Sequence, residues 1–173
     1  MALLPIANLV AGYVFDNDTL DSGPNSLHGT GAGLVSTTGT AEAPDTAYQY
    51  DGFSAYMSVP YSSLFTSTNQ ISIAMWVNVS ALPSASGAAL VSAAYSDGVA
   101  DFNKTFSPFS HNLSVGAQKA SSAPGGYNAY FAGKIDNLFI FDNALTDFEI
   151  GEFCIQAVAT ESSSWGGLKA AYR

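Results

Sequence analysis

The sequence predicts an all-β domain: a two-sheet antiparallel jelly-roll sandwich with one short C-terminal helix. Two segments near opposite ends of the chain match in kind, Leu9 to Asp16 with its turn Asp21 to Gly29, and Phe131 to Phe141 with its turn Asn143 to Thr146. Each reads as a strand leading into a turn or short helix, so the first and last strands are expected side by side. In between, Ile71, Ile73, Met75 and Val77 alternate with Ser72, Ala74, Trp76 and Asn78, the period of two that defines a strand. Elsewhere short apolar runs are separated by Gly-, Ser- and Asn-rich turns, with almost no helical periodicity.

Taken in order, Val10, Tyr13, Val14 and Phe15 mark the first strand. Asp16 to Gly33 is dense in Asp, Asn, Ser, Gly and Pro and reads as a long turn. Residues 49–60 read as strand, turn and strand, with Asp51-Gly52 as the reversal. Ala88 to Tyr95 and Leu113 to Gly116 are candidate strands around an irregular stretch, Ser96 to Ser110. Phe131 to Phe141 is apolar on both faces, as a covered central strand is. Thr146-Asp147-Phe148-Glu149 is a capping box and opens a helix to about Phe153. Residues 1–155 form the expected domain and 156–173 a tail containing Trp165 and Tyr172.

Composition narrows the function. Apolar residues make up 47% of the 173, enough for a core, and charged residues only 11%, against about 25% in an average domain. The formal charge of −9 and the scatter of Lys104, Lys119, Lys134, Lys169 and Arg173 argue against nucleic acid, which needs clustered cations. The single cysteine, Cys154, follows an apolar segment and reads as a small buried hydrophobe. No stretch is apolar for long enough to cross a membrane. The first residues lack the basic start and apolar run of a secretory signal.

Several motifs follow one another in an order that resembles a known superfamily. They are Tyr13 to Asp16, Asp21 to Gly29, Tyr50-Asp51-Gly52, Ala74-Met75-Trp76-Val77, Phe131 to Phe141, Ala144-Leu145-Thr146 and Glu149-Ile150. In this order they resemble the laminin-G-like, concanavalin A-like lectin–glucanase jelly rolls. The family's middle is shortened here: Tyr95-Ser96-Asp97-Gly98 matches a hairpin turn, but no Trp-His pair occurs. The resemblance implies a lectin-like sandwich whose glycan-holding concave face is reduced.

It also implies a structural Ca²⁺ held by Asp21 and Asp136 with carbonyls of the 23–29 turn, since calcium takes six to eight oxygens. The alternative is that Asp21 closes an Asx-turn and Asp136 accepts hydrogen bonds from its own neighbourhood. Trp76 and Tyr95, among several tyrosines, either stack on a sugar or cover a sheet face. Trp165 and Tyr172 suit anchoring to a neighbouring protein.

Catalysis is not expected. Glycosidases need two carboxylates about 5–10 Å apart, yet Glu42, Glu149, Glu152 and Glu161 fall in turns, the helix and the tail. His28 and His111 lack a nucleophile elbow and lie too far from Cys154 in sequence for a zinc motif. The expected role is a non-enzymatic, lectin-like structural or interaction protein. It would be a surface or decoration component of a larger assembly such as a bacteriophage head or tail, bound to a capsid or tail protein or to itself. The alternative is a glycan-binding adhesion module. A phage-encoded chain would reside in the virion; otherwise the expectation is a soluble protein without a signal peptide.

Overall fold

The structure, a computed structural model, describes residues 8–39, 44–65, 70–81, 87–93, 112–120 and 126–151. The first strand, β1 (Leu9–Tyr13), is followed by β2 (Thr30–Ala32), β3 (Val35–Thr37), β4 (Ala47–Asp51) and β5 (Tyr56–Val59). Next come β6 (Ser72–Val79), β7 (Val91–Ser92), β8 (Leu113–Val115), β9 (Gln118–Lys119), β10 (Tyr127–Asn128) and β11 (Ala132–Phe141). Residues 147–151 begin a helix, α1. The capping box forms as expected: Glu149 Oε2 accepts from the Thr146 amide at 2.7 Å, and the Glu149 amide donates to Thr146 Oγ1 at 3.3 Å.

β11 is the axis of the larger sheet. Along one flank it pairs with β6 from Gly133↔Val79 to Phe141↔Ser72. On the other flank β4 takes the first half, Ala132↔Asp51 to Ile135↔Tyr48. β1 takes the second, from Leu138↔Tyr13 to Phe141↔Leu9. β1 and β4 therefore lie end to end, and β3 pairs with the outer edge of β4. The first and last strands are adjacent, as their matching patterns predict. A four-stranded antiparallel sheet runs β2-β5-β8-β7, and β9 and β10 form a small separate pair.

Alternation along these strands sends one set of side chains into a single core. Ala11, Tyr13, Tyr48, Tyr50, Ile135, Leu138 and Ile140 come from the larger sheet; Met57, Val59, Leu113 and Val115 come from the smaller one. Phe15, Phe65 and Phe131 complete the same cluster. Both sheets thus bury apolar faces in one interior, a β-sandwich-like arrangement. Each fully buried side chain of this size contributes about 1.5–3 kcal/mol relative to exposure. The Tyr50 ring sits so close over Gly116, at φ +78, that a side chain there would enter the ring.

Three expectations are corrected in detail. β4 and β5 do not form a hairpin; the Asp51-Gly52 turn carries the chain from one sheet to the other. Its conformation is fixed by Asp51, which accepts from the amides of Phe53, Ser54 and Ala55 at 2.8–2.9 Å and from Ser54 Oγ at 2.7 Å. The long first turn ends in β2, and β3 follows; both are three residues long, too short for alternation to show. Of the strand expected over 88–95, the described residues 88–93 are strand only at Val91–Ser92, paired with Val115 and Ser114 of β8, and residues 94 and 95 lie outside the described residues. Among the described residues no helix is long and apolar enough to cross a membrane.

Candidate functional site

The outer face of the larger sheet carries a depression of about 230 Å³, lined by Thr38, Gly39, Ala47, Trp76, Val77, Asn78, Lys134 and Asp136. Alternation explains the placement of Trp76, Asn78, Lys134 and Asp136. With Ile135 buried in the core, Lys134 and Asp136 point to the opposite face. Their registered partners in β6 are Asn78 and Trp76, so a cation, an amide, a carboxylate and an indole stand in two adjacent cross-strand pairs.

A β-bulge falls at this point. From Asp136↔Trp76 the register passes to Phe139↔Ala74, one residue more on β11 than on β6. Asn137 absorbs the extra residue at φ 50, a left-handed conformation that Asn tolerates better than most residues. The bulge coincides with the place where β4 ends and β1 begins along β11. It lets Asp136 lie outward while Leu138 and Ile140 return to the core.

Asp136 is 4% exposed, and its Oδ1 accepts from Asn137 Nδ2 at 2.8 Å. Gly39 lies against it: a side chain at residue 39 would collide with Asp136 Oδ2 and Thr46 Oγ1. Lys134 Nζ spans the rim to Thr38, donating to its carbonyl and its Oγ1 at 3.3 Å each. Chemically, this is a half-buried aromatic surface ringed by fixed donors and acceptors, suited to a neutral, hydroxyl-rich ligand.

Asp21 is elsewhere. Its Oδ1 accepts from the amides of Gly12 and Gly23 at 2.8 and 2.7 Å, and its Oδ2 from Leu27 at 2.8 Å. The Gly23 bond is the expected Asx-turn. The Gly12 bond ties the turn to the edge of β1 that faces away from β11, and Ser22 donates to the Gly12 carbonyl at 2.7 Å. The registered partner of Gly12 is Phe139, three residues along β11 from Asp136, or roughly 10 Å at about 3.3 Å per residue. Among the described residues no cluster of three or more His, Cys, Asp or Glu side chains is assembled for a metal. His28 Nδ1 accepts from the Asp21 amide at 3.1 Å and belongs to the same clasp.

The tyrosines divide between core and surface. Tyr13 and Tyr50 are buried, and burial pushes both phenols well above their ordinary range, helped for Tyr13 by the negative charge of Asp21. Tyr56 and Tyr127 stack at 3.8 Å, with Lys119 Nζ 4.5 Å above the Tyr127 ring. Tyr130 joins them, its phenol raised first by burial and then by Tyr56, Asp51 and Tyr127. Tyr61 stands apart and is exposed. Tyr95, His111, Cys154, Trp165, Tyr172 and the tail 156–173 lie outside the described residues.

Of the residues singled out in the sequence, Trp76 and Asp136 are brought together, although they were expected in two different sites. Thr38, Asn78 and Lys134 were missed. The even-numbered positions 76 and 78 and positions 134 and 136 each share a strand face, but only the β6–β11 register joins the two pairs. No family model, no curated protein and no solved structure matches this chain.

Proposed function

We propose that the chain is a non-enzymatic, lectin-like interaction protein on a jelly-roll sandwich, serving as a surface component of a larger assembly such as the head decoration or tail of a bacteriophage virion. The observation that carries this reading is how four of the described acidic side chains are employed. Asp21, Asp51 and Glu149 each accept two or more hydrogen bonds that fix a turn or a helix start, and Asp45 is bonded to Ser36 Oγ. They hold the scaffold instead of facing each other across a cleft. Large apolar side chains are meanwhile turned outward, with Phe53 83% and Phe148 75% exposed. Residues of this kind are suited to burial against a neighbouring protein. Quantitative mass spectrometry of gradient-purified particles from the encoding source tests it. A fixed copy number per particle supports the reading, and absence from the particles overturns it.

The depression favours a second reading, a glycan-binding adhesion module. Trp76 offers a ring face for stacking, and Asn78, Asp136 and Thr38 offer directional hydrogen bonds to hydroxyls. A glycan array read with the wild type, Trp76→Ala and Asp136→Asn separates the two. Reproducible binding lost in both variants selects the adhesion module; an array without binding leaves the assembly reading standing.

A further inference from the structure

We infer that Tyr56 and Tyr127 are a site of oxidative cross-linking: a one-electron oxidant joins their rings into an intramolecular dityrosine that staples β10 to β5. This goes beyond the proposed function and depends neither on an assembly nor on a ligand in the depression.

The pair follows from strand alternation. Met57 and Val59 face the core, so Tyr56 projects from the opposite face of β5. Tyr127 stands in β10 directly opposite Lys119 of β9, and cross-strand partners share a face. Lys119 Nζ accordingly lies over the Tyr127 ring, which stacks on Tyr56 with centroids 3.8 Å and planes 25° apart. Aromatic pairs more often sit at about 4.5–7 Å, so these two rings overlap nearly face to face. Whatever the rotation of each ring in its own plane, such overlap brings an ortho carbon of one phenol close to an ortho carbon of the other. Tyr130 belongs to the same cluster: its phenol is pushed up first by burial, then by the charges of Tyr56, Asp51 and Tyr127.

The chemistry balances. Each phenol gives one electron to the oxidant and its hydroxyl proton to water, leaving two neutral tyrosyl radicals. Their unpaired density at the ortho carbons pairs into one carbon–carbon bond. The hydrogen on each of those carbons then moves to its own phenolic oxygen, which restores both aromatic rings and both hydroxyls. The net loss is two hydrogen atoms; with a peroxidase as the source of oxidant, one hydrogen peroxide accepts them and leaves as two waters. Lys119 favours the neutral radical, because a cation 4.5 Å from the ring centre opposes a second positive charge on Tyr127.

Burial directs the coupling inward. Tyr127 is 7% exposed, which keeps the tyrosine of another molecule from reaching it. Two radicals already in contact also meet at an effective concentration that no second molecule matches. Tyr61, 45% exposed, is by contrast a position for coupling between chains. The bond has a structural consequence. Among the described residues β9 and β10 pair only with each other, outside the ladders of both sheets. A link from residue 127 to residue 56 fixes that pair to the smaller sheet and closes a long loop, which restricts the unfolded chain as a disulfide does.

The experiment treats the full chain, dilute, with hydrogen peroxide and a haem peroxidase, and separately with a small photogenerated one-electron oxidant. Peptide mapping by mass spectrometry should find residues 56 and 127 joined within a chain of monomer mass less two hydrogens, accompanied by blue dityrosine fluorescence. Tyr56→Phe and Tyr127→Phe should each lose the fluorescence of the monomer, and Tyr61→Phe should keep it. The cross-linked chain should melt at a higher temperature than the untreated one. Linked peptides that exclude residues 56 and 127, oligomers in place of a linked monomer, or no dityrosine with either oxidant overturn the inference. The peptide map is read on the wild type, so it decides even where a variant fails to fold. An unmoved melting point after cross-linking overturns the stapling role.

Discussion

At the scale of single residues, carboxylates organise this fold by collecting backbone amides. Asp51 is the clearest case, since its side chain defines the crossing between sheets. Three amides and a hydroxyl hold its carboxyl well below its ordinary value of 3.8, against the opposing effect of desolvation. The sign follows: a carboxyl depressed in the folded state contributes stability that is full above the unfolded-state value and is lost as pH falls through the folded one. Asp51→Ala is expected to cost about 1–2 kcal/mol at neutral pH, with the difference from wild type shrinking below about pH 4. Urea titrations at several pH values check this, and a gap independent of pH contradicts it. Asp21 also collects backbone amides. Because it already accepts from three amides, EGTA should leave the thermal midpoint unmoved, whereas Asp21→Ala should lower it. A fall with EGTA, reversed by Ca²⁺, would favour the calcium reading implied by the family resemblance.

At the scale of elements, β11 does two jobs that conflict in a regular strand. Its odd-numbered start and even-numbered end both face the core, at Ile135 and at Leu138 and Ile140, and a change of parity requires an extra residue. Asn137 supplies it at φ 50. Asn137→Gly should be neutral or slightly stabilising, because glycine enters the left-handed region without steric cost. Asn137→Val should cost about 1–2 kcal/mol through the β-branched side chain and weaken any ligand that depends on the Asp136–Trp76 pair. Thermal melts of the two variants provide the check; equal melting points would mean that the bulge is not strained. The parity change explains why the pattern of Phe131 to Phe141 looks apolar on both faces. A strand that turns over midway shows no clean alternation, although Phe139 and Phe141 on the outer side are also buried.

At the scale of the whole molecule, the described strands pack most densely where β11 is flanked on both sides, by β6 on one and by β4 and β1 on the other. Ile135, fully buried between β4 and β6, should cost about 2–5 kcal/mol when cut to Ala. Ile73, 42% exposed in β6, should cost under about 1.5 kcal/mol, because a large part of its surface already meets water. Chemical unfolding compares the two, and similar losses would mean that Ile73 is covered.

Local chemistry was enough to read β1, β6, β8, β11, the Asx-turn at Asp21 and the capping box at Thr146. Alternation, turn residues and caps act over a few neighbouring positions and are written where they act. β2 and β3 are too short to carry a period. The destination of the Asp51-Gly52 turn depends on which strand each arm meets, and no local signal records that. The sequence by itself determined an all-β chain whose two ends resemble one another and whose acids sit in turns. Only the tertiary structure decided that Trp76, Asn78, Lys134 and Asp136 share one depression and that β4 and β5 join different sheets. Both are matters of register between strands far apart in the chain, and register is settled by how the two sheets close over a common core.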